Sequence, residues 1–298
     1  GFETLVGMKN VPMIQERLAR LSFMIRKEEA LPDLPKKVYD VVEVSMTPRQ
    51  AEVYKQVAQD IAAECEEMIE DEEQPRQLLV SNILTKLLRL AEITSGYVVW
   101  DAVVNEETGE VLHPKRIEAF DPVPKIEWLV ECLKERDPLS KTIVWSCWIQ
   151  DRKALSERLT QEGIRFVKYD GDTNENDRIE AERAFNEDPD CTVLLGSQAA
   201  GGTGLNLLGY PPGDESVPTN CDHQVYFSQN WSPTQRSQSE DRPNRRGTRV
   251  PTRTTDLCVP GTVDEEIRTR VVEKIKTALE VSDVRKILRS VLSGRIEI

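Results

Sequence analysis

Histidine is scarce in this chain, and cysteine is never clustered. Only two histidines, His113 and His223, occur among 298 residues, which argues against histidine-based catalytic triads and most metal-dependent hydrolases. The six cysteines are scattered without any Cys-x-x-Cys pair. A disulfide framework or a zinc site needs closer and more regular spacing. We therefore expect free, buried thiols and no metal centre.

Long apolar runs are also missing. No segment approaches the roughly 20 apolar residues that a membrane-spanning helix needs. The first residues, GFETLVGMKN, lack the basic start and apolar stretch of a signal peptide. We predict a soluble, intracellular protein without a membrane partner.

Basic residues are in the minority. The chain has 39 lysines and arginines against 52 aspartates and glutamates, a formal net charge of −13. Such a surface does not favour broad, non-specific binding of nucleic acid, so any such contact must come from a local patch. One basic concentration stands out: SQSEDRPNRRGT places three arginines within five residues, namely Arg242, Arg245 and Arg246.

Strands and helices alternate along the second half of the chain. From about Asp121 onward, short apolar segments are separated by helical patterns of ten or more residues, which indicates an α/β fold with a mostly parallel sheet flanked by helices. Ligands of such sheets bind at the carboxyl ends of the strands. The predicted strands cover residues 141–148, 164–171, 191–198, 223–230 and 254–261, and the predicted helices cover 124–136, 151–163, 176–188 and 262–279.

The first 120 residues are mainly helical in pattern. Prolines near residue 35 end an initial helical segment. Alternating apolar residues predict a strand over Val38–Met46, and Thr47 followed by Pro48 is a favourable helix start. A second helix is expected over about Gln77–Ile93, and residues 103–116 are expected to form a hairpin or loop.

A glycine-rich turn follows one apolar strand, in the segment TVLLGSQAAGGTGLNLL. Small residues allow backbone N–H groups to approach a phosphate closely. The spacing nearly matches the P-loop pattern, but Gly202 stands where the phosphate-reaching lysine should be. No acidic metal-binding residue follows an apolar strand elsewhere. An independent P-loop nucleotidase is therefore improbable, while an anion cradle and a purely structural turn both remain open.

The arginine-rich stretch permits two interpretations. Guanidinium groups match phosphate oxygens bidentately and keep their charge. Arg242 and Arg245 are three residues apart, so a helical turn beginning near Pro243 would point both in one direction. An arginine-rich polar stretch can equally be a solvated surface.

Five co-linear stretches together resemble the Swi/Snf-type branch of the superfamily-two helicases, and specifically its second RecA-like lobe. In the order in which they occur, these are MIRKEEALPDLPKK with PRQAEVY, KTIVWSCWIQ, YDGDTNENDRIEAERAFN, GSQAAGGTGLNL and NWSPTQRSQSEDRPNRRGT. The chain departs from the family at Asn244, Arg246 and Thr248, where histidine, an aliphatic residue and glutamine are usual. It also carries a proline-rich insert, GYPPGDESVPTN.

The resemblance implies a RecA-like lobe with a preceding helical region. Its divisions are 1–35, leaving the first lobe, then 36–120, a strand plus helices, and 121–298, the C-terminal lobe. It also implies a DNA-dependent ATPase and translocase whose ATP and Mg²⁺ are held mainly by the first lobe, so these 298 residues alone are expected to be inactive. The implied partners are double-stranded DNA and the first RecA-like lobe of the same polypeptide. The implied location is the cytoplasm or nucleoid of a bacterial or viral system, or the nucleus of a eukaryote.

The resemblance also assigns roles to individual residues. Arg242 and Arg245 correspond to catalytic arginine fingers. The residues implied to bind the nucleotide are Gly202, Gly204, Asn206 and Gln238. The residues implied to contact the DNA backbone are Ser146, Thr173, Ser197 and Gln198.

Two other functions remain open. The chain could be a non-catalytic protein-binding module that docks a partner through an acidic helix end, residues 64–73, and a basic stretch comprising Arg285, Lys286, Arg289 and Arg295. It could also be a lobe of an RNA-acting superfamily-two helicase. The Swi/Snf-like segment LPDLPKKVYDVVEVSMTPRQAEVY weighs against the RNA-acting alternative.

Overall fold

A computed structural model describes most of the chain. The described residues are 10, 12–13, 16–17, 21, 25, 27–70, 76–105, 108, 111–200, 205–211, 213–214 and 216–272, with the backbone alone at 28, 66–70, 76–81 and 103–104. The chain divides into two compact units, Gly1–Leu34 and Pro35–Ile298. The first unit contains helix α1, Lys27–Ala30, and everything below concerns the second unit.

The second unit alternates strands and helices as predicted. In chain order it contains β1 (Lys37–Glu43), α2 (Pro48–Glu70), α3 (Arg76–Ser95), β2 (Tyr97–Trp100), β3 (Val103–Val104), β4 (Val111–His113), β5 (Arg116–Ala119), α4 (Pro124–Glu135), β6 (Ser140–Ser146), α5 (Ile149–Gln161), β7 (Phe166–Tyr169), α6 (Glu175–Glu187), β8 (Val193–Ser197), β9 (Asn220–Tyr226), α7 (Pro233–Glu240), β10 (Thr252–Cys258) and α8 (Val263–Val272).

Six parallel strands form the central sheet in the order β1-β10-β9-β6-β8-β7. This confirms the predicted α/β class. Strand β1, predicted from the alternation of VYDVVEVSM, joins that sheet beside β10, with Lys37 opposite Thr252. The small antiparallel pair of β3 with β4 lies within the predicted hairpin region, residues 103–116. A second antiparallel pair, β2 with β5, flanks that region and was not predicted.

The central strands are buried on both faces, which explains their continuous apolar sequences. Every residue of β6 and β8 is buried. Two of the helices that cover the sheet begin with side-chain caps of the expected kind. Asn174 accepts a hydrogen bond from the Asp177 amide at the start of α6, and Ser232 accepts one from the Gln235 amide at the start of α7.

One hydrophobic core joins the helical region to the sheet. It extends along the chain from Met46 to Val271 and includes Tyr54 of α2, Leu87 of α3 and Leu129 of α4. Residues 36–120 and 121–298 therefore share a core, and a domain boundary at residue 120 stays a prediction. Among the described residues, no helix is long and apolar enough to cross a membrane.

Asp264 is a polar link across this core. Its carboxylate accepts hydrogen bonds from Thr94 of α3 at 2.7 Å and from the ammonium group of Lys125 in α4 at 2.7 Å. The Lys125 side chain is only 2% exposed, and an ion that is removed from water needs a partner. Asp264 therefore fixes α3 and α4 to the start of α8.

A second buried carboxylate lies beneath the carboxyl ends of β6 and β9. Oδ2 of Asp151 accepts hydrogen bonds from the hydroxyls of Ser146 at 3.1 Å and Ser228 at 2.6 Å. Burial raises the pKa of Asp151 to about 7, although the two serine hydroxyls and the charges of Lys125 and Arg152 act in the opposite direction. The Asp151 side chain therefore takes up a proton near neutral pH in the folded protein.

We predict that Asp264→Ala lowers the free energy of unfolding by about 3–5 kcal/mol, because it leaves the Lys125 ammonium buried without its counter-ion. Urea denaturation with tryptophan fluorescence measures the change. Arg183→Ala, which breaks the exposed pair with Glu180, is the control and should leave the free energy of unfolding almost unchanged, because water screens an exposed ion pair. A loss below about 1 kcal/mol for Asp264→Ala would contradict the role given to this ion pair.

We also predict a pH dependence of stability that depends on Asp151. Because its pKa is higher in the folded than in the unfolded chain, its contribution is fully present below the unfolded value of 3.8 and is lost as pH rises toward about 7. Asp151→Asn should therefore gain stability relative to the parent as pH rises from 5 to 7, by up to about 1.4 kcal/mol per pH unit.

Urea denaturation at several pH values tests this prediction. Glu180→Gln is the matched control, because hydrogen bonding to Arg183 lowers the pKa of this exposed carboxyl group. Glu180 stays ionised over the same pH range, so its substitution should give a constant difference. A constant difference for Asp151→Asn would mean that Asp151 does not titrate on folding.

Candidate functional site

Parallel pairing brings the ends of three strands to one edge of the sheet. Ser146, the last residue of β6, lies opposite Ser197, the last residue of β8, while Trp145 lies opposite Tyr226, the last residue of β9. Ligands of open α/β sheets bind at this carboxyl edge. The loops that follow β6, β8 and β9 are therefore candidates for a ligand-binding site.

All four residues predicted to contact nucleic acid lie at or just after strand ends on this edge, because β7 is also parallel to β8. Ser146, Ser197 and Gln198 are all buried. The Ser146 hydroxyl donates to Asp151, and the Cys147 thiol donates to the Gln198 side-chain oxygen at 3.3 Å. These side chains are buried, and those of Ser146 and Gln198 form hydrogen bonds with other protein groups. Contact of DNA with these three residues therefore stays a prediction.

Thr173, the fourth of these residues, lies in a turn between β7 and α6. Its hydroxyl donates to Oδ1 of Asp170 at 2.8 Å, and the same oxygen accepts from the Thr173 amide at 3.1 Å. Asp170 also accepts from Nε of Arg152 at 3.1 Å. These bonds hold the Asp-Gly turn of the sequence motif in one conformation beside the start of α5.

An open cavity of about 580 Å³ lies beside this turn. It is bounded by the start of α5, by β7 and by one face of α6, and its walls carry charges of both signs. Six of its lining residues are Arg152, Lys168, Asp170, Thr173, Asp177 and Glu180. No single sequence motif predicts this cavity, because its walls come from three separate elements.

The glycine-rich turn is described only at its two ends. Gly202 and Gly204, both predicted to approach the nucleotide, lie outside the described residues. Asn206, which follows them, is held by α6. Its amide donates to Oε1 of Glu182 at 2.8 Å, and its carbonyl accepts from the Asn186 side chain at 2.7 Å. Within the described part of the chain, the Asn206 side-chain oxygen is buried without a hydrogen-bond partner.

Glu182 and Asn186 are functional candidates that the sequence motif contained but that received no role. Besides its contact with Asn206, Asn186 accepts a hydrogen bond from the Gly209 amide at 3.0 Å. Their spacing of four residues on α6 puts both side chains on one helix face. The two residues thus fix the exit of the glycine-rich turn to the helix.

The arginine-rich stretch is a turn and not the start of a helix. Helix α7 ends at Glu240, and residues 241–247 form successive turns. The interpretation of Pro243 as a helix start is therefore wrong. The Arg242 amide donates to the Ser239 carbonyl at 3.1 Å, and the Thr248 amide donates to the Arg245 carbonyl at 2.9 Å. We call residues 242–248 the arginine turn.

Arg245 connects the arginine turn to the end of the glycine-rich turn. Its Nη1 donates to the Leu205 carbonyl at 2.6 Å. Burial lowers the pKa of Arg242, and the nearby positive charge of Arg245 lowers it further. The carboxylate of Asp241 acts in the opposite direction. Both guanidinium groups are half-buried, and a bound anion would favour their charged forms. Arg246 and Gln238, in contrast, are exposed.

Arg236 is a structurally important arginine that sequence reasoning missed. It is buried in α7, donates to Glu240 at 2.6 Å, and also binds both carboxylate oxygens of Asp256 in β10. Its guanidinium group lies 3.5 Å from the ring centroid of Tyr226 in β9. The four-residue spacing of Arg236 and Glu240 is the one sequence signal that could have indicated this contact. Arg236 fixes the helix that precedes the arginine turn to the sheet.

Comparison with known proteins finds relatives of this chain in sequence and in fold. Residues 124–247 match the helicase conserved C-terminal domain. The nuclear protein STH1/NPS1 of Saccharomyces cerevisiae is 26% identical over 260 residues, which cover 85% of this chain and 18% of the relative. The chromatin-remodeling ATPase INO80 of Aspergillus clavatus is 32% identical over 120 residues, or 40% of this chain and 6% of the relative. The chain thus spans less than a fifth of the length of these curated relatives.

Solved structures share the fold. The C-terminal part of the Fun30 ATPase domain has a TM-score of 0.60 at 22% identity, covering 87% of this chain and 99% of that one. The SWI2/SNF2 ATPase core of Sulfolobus solfataricus in complex with dsDNA has a TM-score of 0.61 at 19% identity, covering 96% and 56%. The sequence matches and the shared fold give the same assignment. The chain is thus similar to the C-terminal RecA-like lobe of the Swi/Snf-type superfamily-two helicases.

Proposed function

We propose that this chain is the second motor lobe of a DNA-dependent ATPase and translocase, in which Arg242 and Arg245 act on ATP held mainly by a first RecA-like lobe. The observation that carries the proposal is the contact of Arg245 with the Leu205 carbonyl at 2.6 Å. This contact supports the proposal because it holds the Arg245 guanidinium at Leu205, the first described residue after the glycine-rich turn.

The relatives support the choice of reaction and partner. One relative is named a chromatin-remodeling ATPase, and one structural neighbour was determined with double-stranded DNA. We extend both properties to the longer polypeptide to which this lobe would belong. A relative named a nuclear protein supports a nuclear location if the source is eukaryotic, while a cytoplasmic or nucleoid location applies to a bacterial or viral source.

The chemistry of the two arginines fits phosphoryl transfer. During transfer, negative charge is spread over the equatorial oxygens of the phosphoryl group, and fixed positive groups stabilise that charge. A guanidinium group has five N–H donors. Arg245 directs one donor to Leu205, and the opposite edge of such a planar group can serve an oxygen. Partial burial strengthens the interaction because it lowers the local dielectric.

The described residues do not fit a metal site of their own. Among them, no group of three or more histidine, cysteine, aspartate or glutamate side chains is placed to hold an ion. We propose that Mg²⁺ is held mainly by the first lobe. In this proposal the second lobe binds and orients phosphate by guanidinium and backbone groups.

In the polypeptide with both lobes, we predict that Arg242→Ala and Arg245→Ala each lower kcat for ATP by about 10³-fold or more, the contribution of an arginine finger. Binding of double-stranded DNA should be unchanged, because the phosphate of ATP is their proposed target. Phosphate release and DNA fluorescence anisotropy measure the two effects. Arg246→Ala, in the same turn but exposed, is the control. Near-normal turnover by both Arg242→Ala and Arg245→Ala would mean that the arginine turn is a solvated surface without a role in catalysis.

The 298-residue chain alone should release no phosphate from ATP above the buffer background. Its glycine-rich turn has Gly202 in place of the phosphate-reaching lysine, and in the proposal that lysine belongs to the first lobe. A phosphate-release assay with and without DNA tests the expectation. ATP hydrolysis that co-elutes with the purified chain in size-exclusion chromatography would contradict the proposal that the first lobe is required for turnover.

A further inference from the structure

The proline-rich insert, residues 209–219, leaves and re-enters the fold at one point. The Cys221 amide donates to the Leu208 carbonyl at 2.8 Å, which closes the base of the insert. Gly209 has φ +79°, and a Cβ atom there would lie 2.4 Å from the Cys221 backbone nitrogen. A side chain at that position would clash with backbone, so the close approach of the two strands of the base needs glycine.

The insert packs on the arginine turn. Tyr210 is buried, and its hydroxyl donates to the Gly247 carbonyl. From the other side, Arg249 lies over the Tyr210 ring at 3.6 Å from the centroid. The Arg249 guanidinium also donates to the carbonyls of Val217 at 2.9 Å and Asp214 at 2.7 Å. Each segment therefore supplies donors to backbone acceptors of the other.

Gly247 makes this close packing possible. It has φ +102°, a conformation that favours glycine, and a Cβ atom there would lie 3.3 Å from Leu208 and 3.5 Å from the Tyr210 hydroxyl. The contact lies two residues from Arg245, which itself binds the Leu205 carbonyl. The arginine turn is thus attached at Arg245 and at Gly247 to the segment that follows the glycine-rich turn.

Two of the three residues of the turn that depart from the family pattern, Asn244 and Thr248, have structural roles here. The Thr248 hydroxyl accepts a hydrogen bond from the Arg245 amide at 2.9 Å. The Asn244 side chain donates to the Pro35 carbonyl at 2.9 Å. These departures and the insert occur together in this chain and act on the same turn. A turn without helical or strand hydrogen bonding needs such supports to hold side chains in one geometry.

We propose that the insert is a brace for the arginine turn, with Tyr210 and Arg249 as positioning residues that hold Arg245 and Arg242 in their working orientation. The inference rests on the proposed function for its catalytic consequence. Its structural part, the ordering of the turn by the insert, is independent of that function. Tyr210 contributes a hydroxyl to the turn, and Arg249 fixes the ring that carries the hydroxyl.

The experiment compares Tyr210→Phe and Arg249→Met with the control Arg246→Met. Arg246 lies in the same turn and is exposed. In the 298-residue chain, amide hydrogen exchange of peptides covering residues 244–248 should be about 5-fold faster in both brace variants, the effect of losing one hydrogen bond. In the two-lobe polypeptide, kcat for ATP should fall by about 5-fold or more while KM for ATP and DNA binding stay unchanged. Arg246→Met should match the parent in every measurement.

Comparison of Arg245→Ala with the brace variants distinguishes failure of the brace from failure of the proposed function. If Arg245→Ala retains normal turnover, the proposed function fails, whatever the exchange data show. If Arg245→Ala is inactive while both brace variants keep parental kcat, the brace is wrong. An equal loss in Arg246→Met would assign the effect to surface charge and also overturn the brace. Tyr210→Phe keeps the ring and its packing, so a parental melting temperature confirms that the variant is folded.

Arg249→Lys gives a further check on the mechanism of positioning. Lysine keeps the positive charge but lacks the planar group that lies on the Tyr210 ring and reaches two carbonyls at once. We expect Arg249→Lys to behave like Arg249→Met in both exchange and kcat. Full recovery by lysine would mean that charge alone acts at this position and would overturn the brace.

Discussion

The parallel pairing of β6 with β8 on one side and with β9 on the other is the constraint on which the rest of the site depends. A parallel strand pair requires a crossover connection, so each strand ends at the same edge and each loop begins there. The register fixes Ser146 opposite Ser197 and Trp145 opposite Tyr226. A slip of one residue would reverse the two faces of buried strands and would move all three loops at once.

The second constraint is that buried charged side chains need compensating partners, and this chain provides such partners in different ways. Arg236 is enclosed and paired with carboxylates, so it stabilises the contact of α7 with the sheet. Lys125 is paired with Asp264. Arg242 has the positive charge of Arg245 nearby, and the Asp241 carboxylate acts in the opposite direction. A bound anion would add to that compensation, in agreement with the role proposed for these two arginines.

Much of the fold could be predicted from the sequence because it follows from local patterns. Continuous apolar segments gave the buried strands β6 and β8, and the Asn and Ser positions before α6 and α7 are ordinary caps. The place of β1 beside β10 could not be predicted, since a 7-residue alternating strand does not specify its partner. The polar link at Asp264 could not be predicted either, because its partners Thr94 and Lys125 are distant along the chain.

The candidate site was only partly predictable, and the arginine turn explains why. The spacing of Arg242 and Arg245 could be read from the sequence, but a three-residue spacing indicates a shared direction only if the backbone is helical. The backbone here forms turns whose geometry depends on Thr248, on Gly247 and on an insert some thirty residues earlier. Spacing therefore identified the charged groups, while long-range contacts set their direction. Where a turn carries the proposed chemistry, the elements packed against that turn are part of the site.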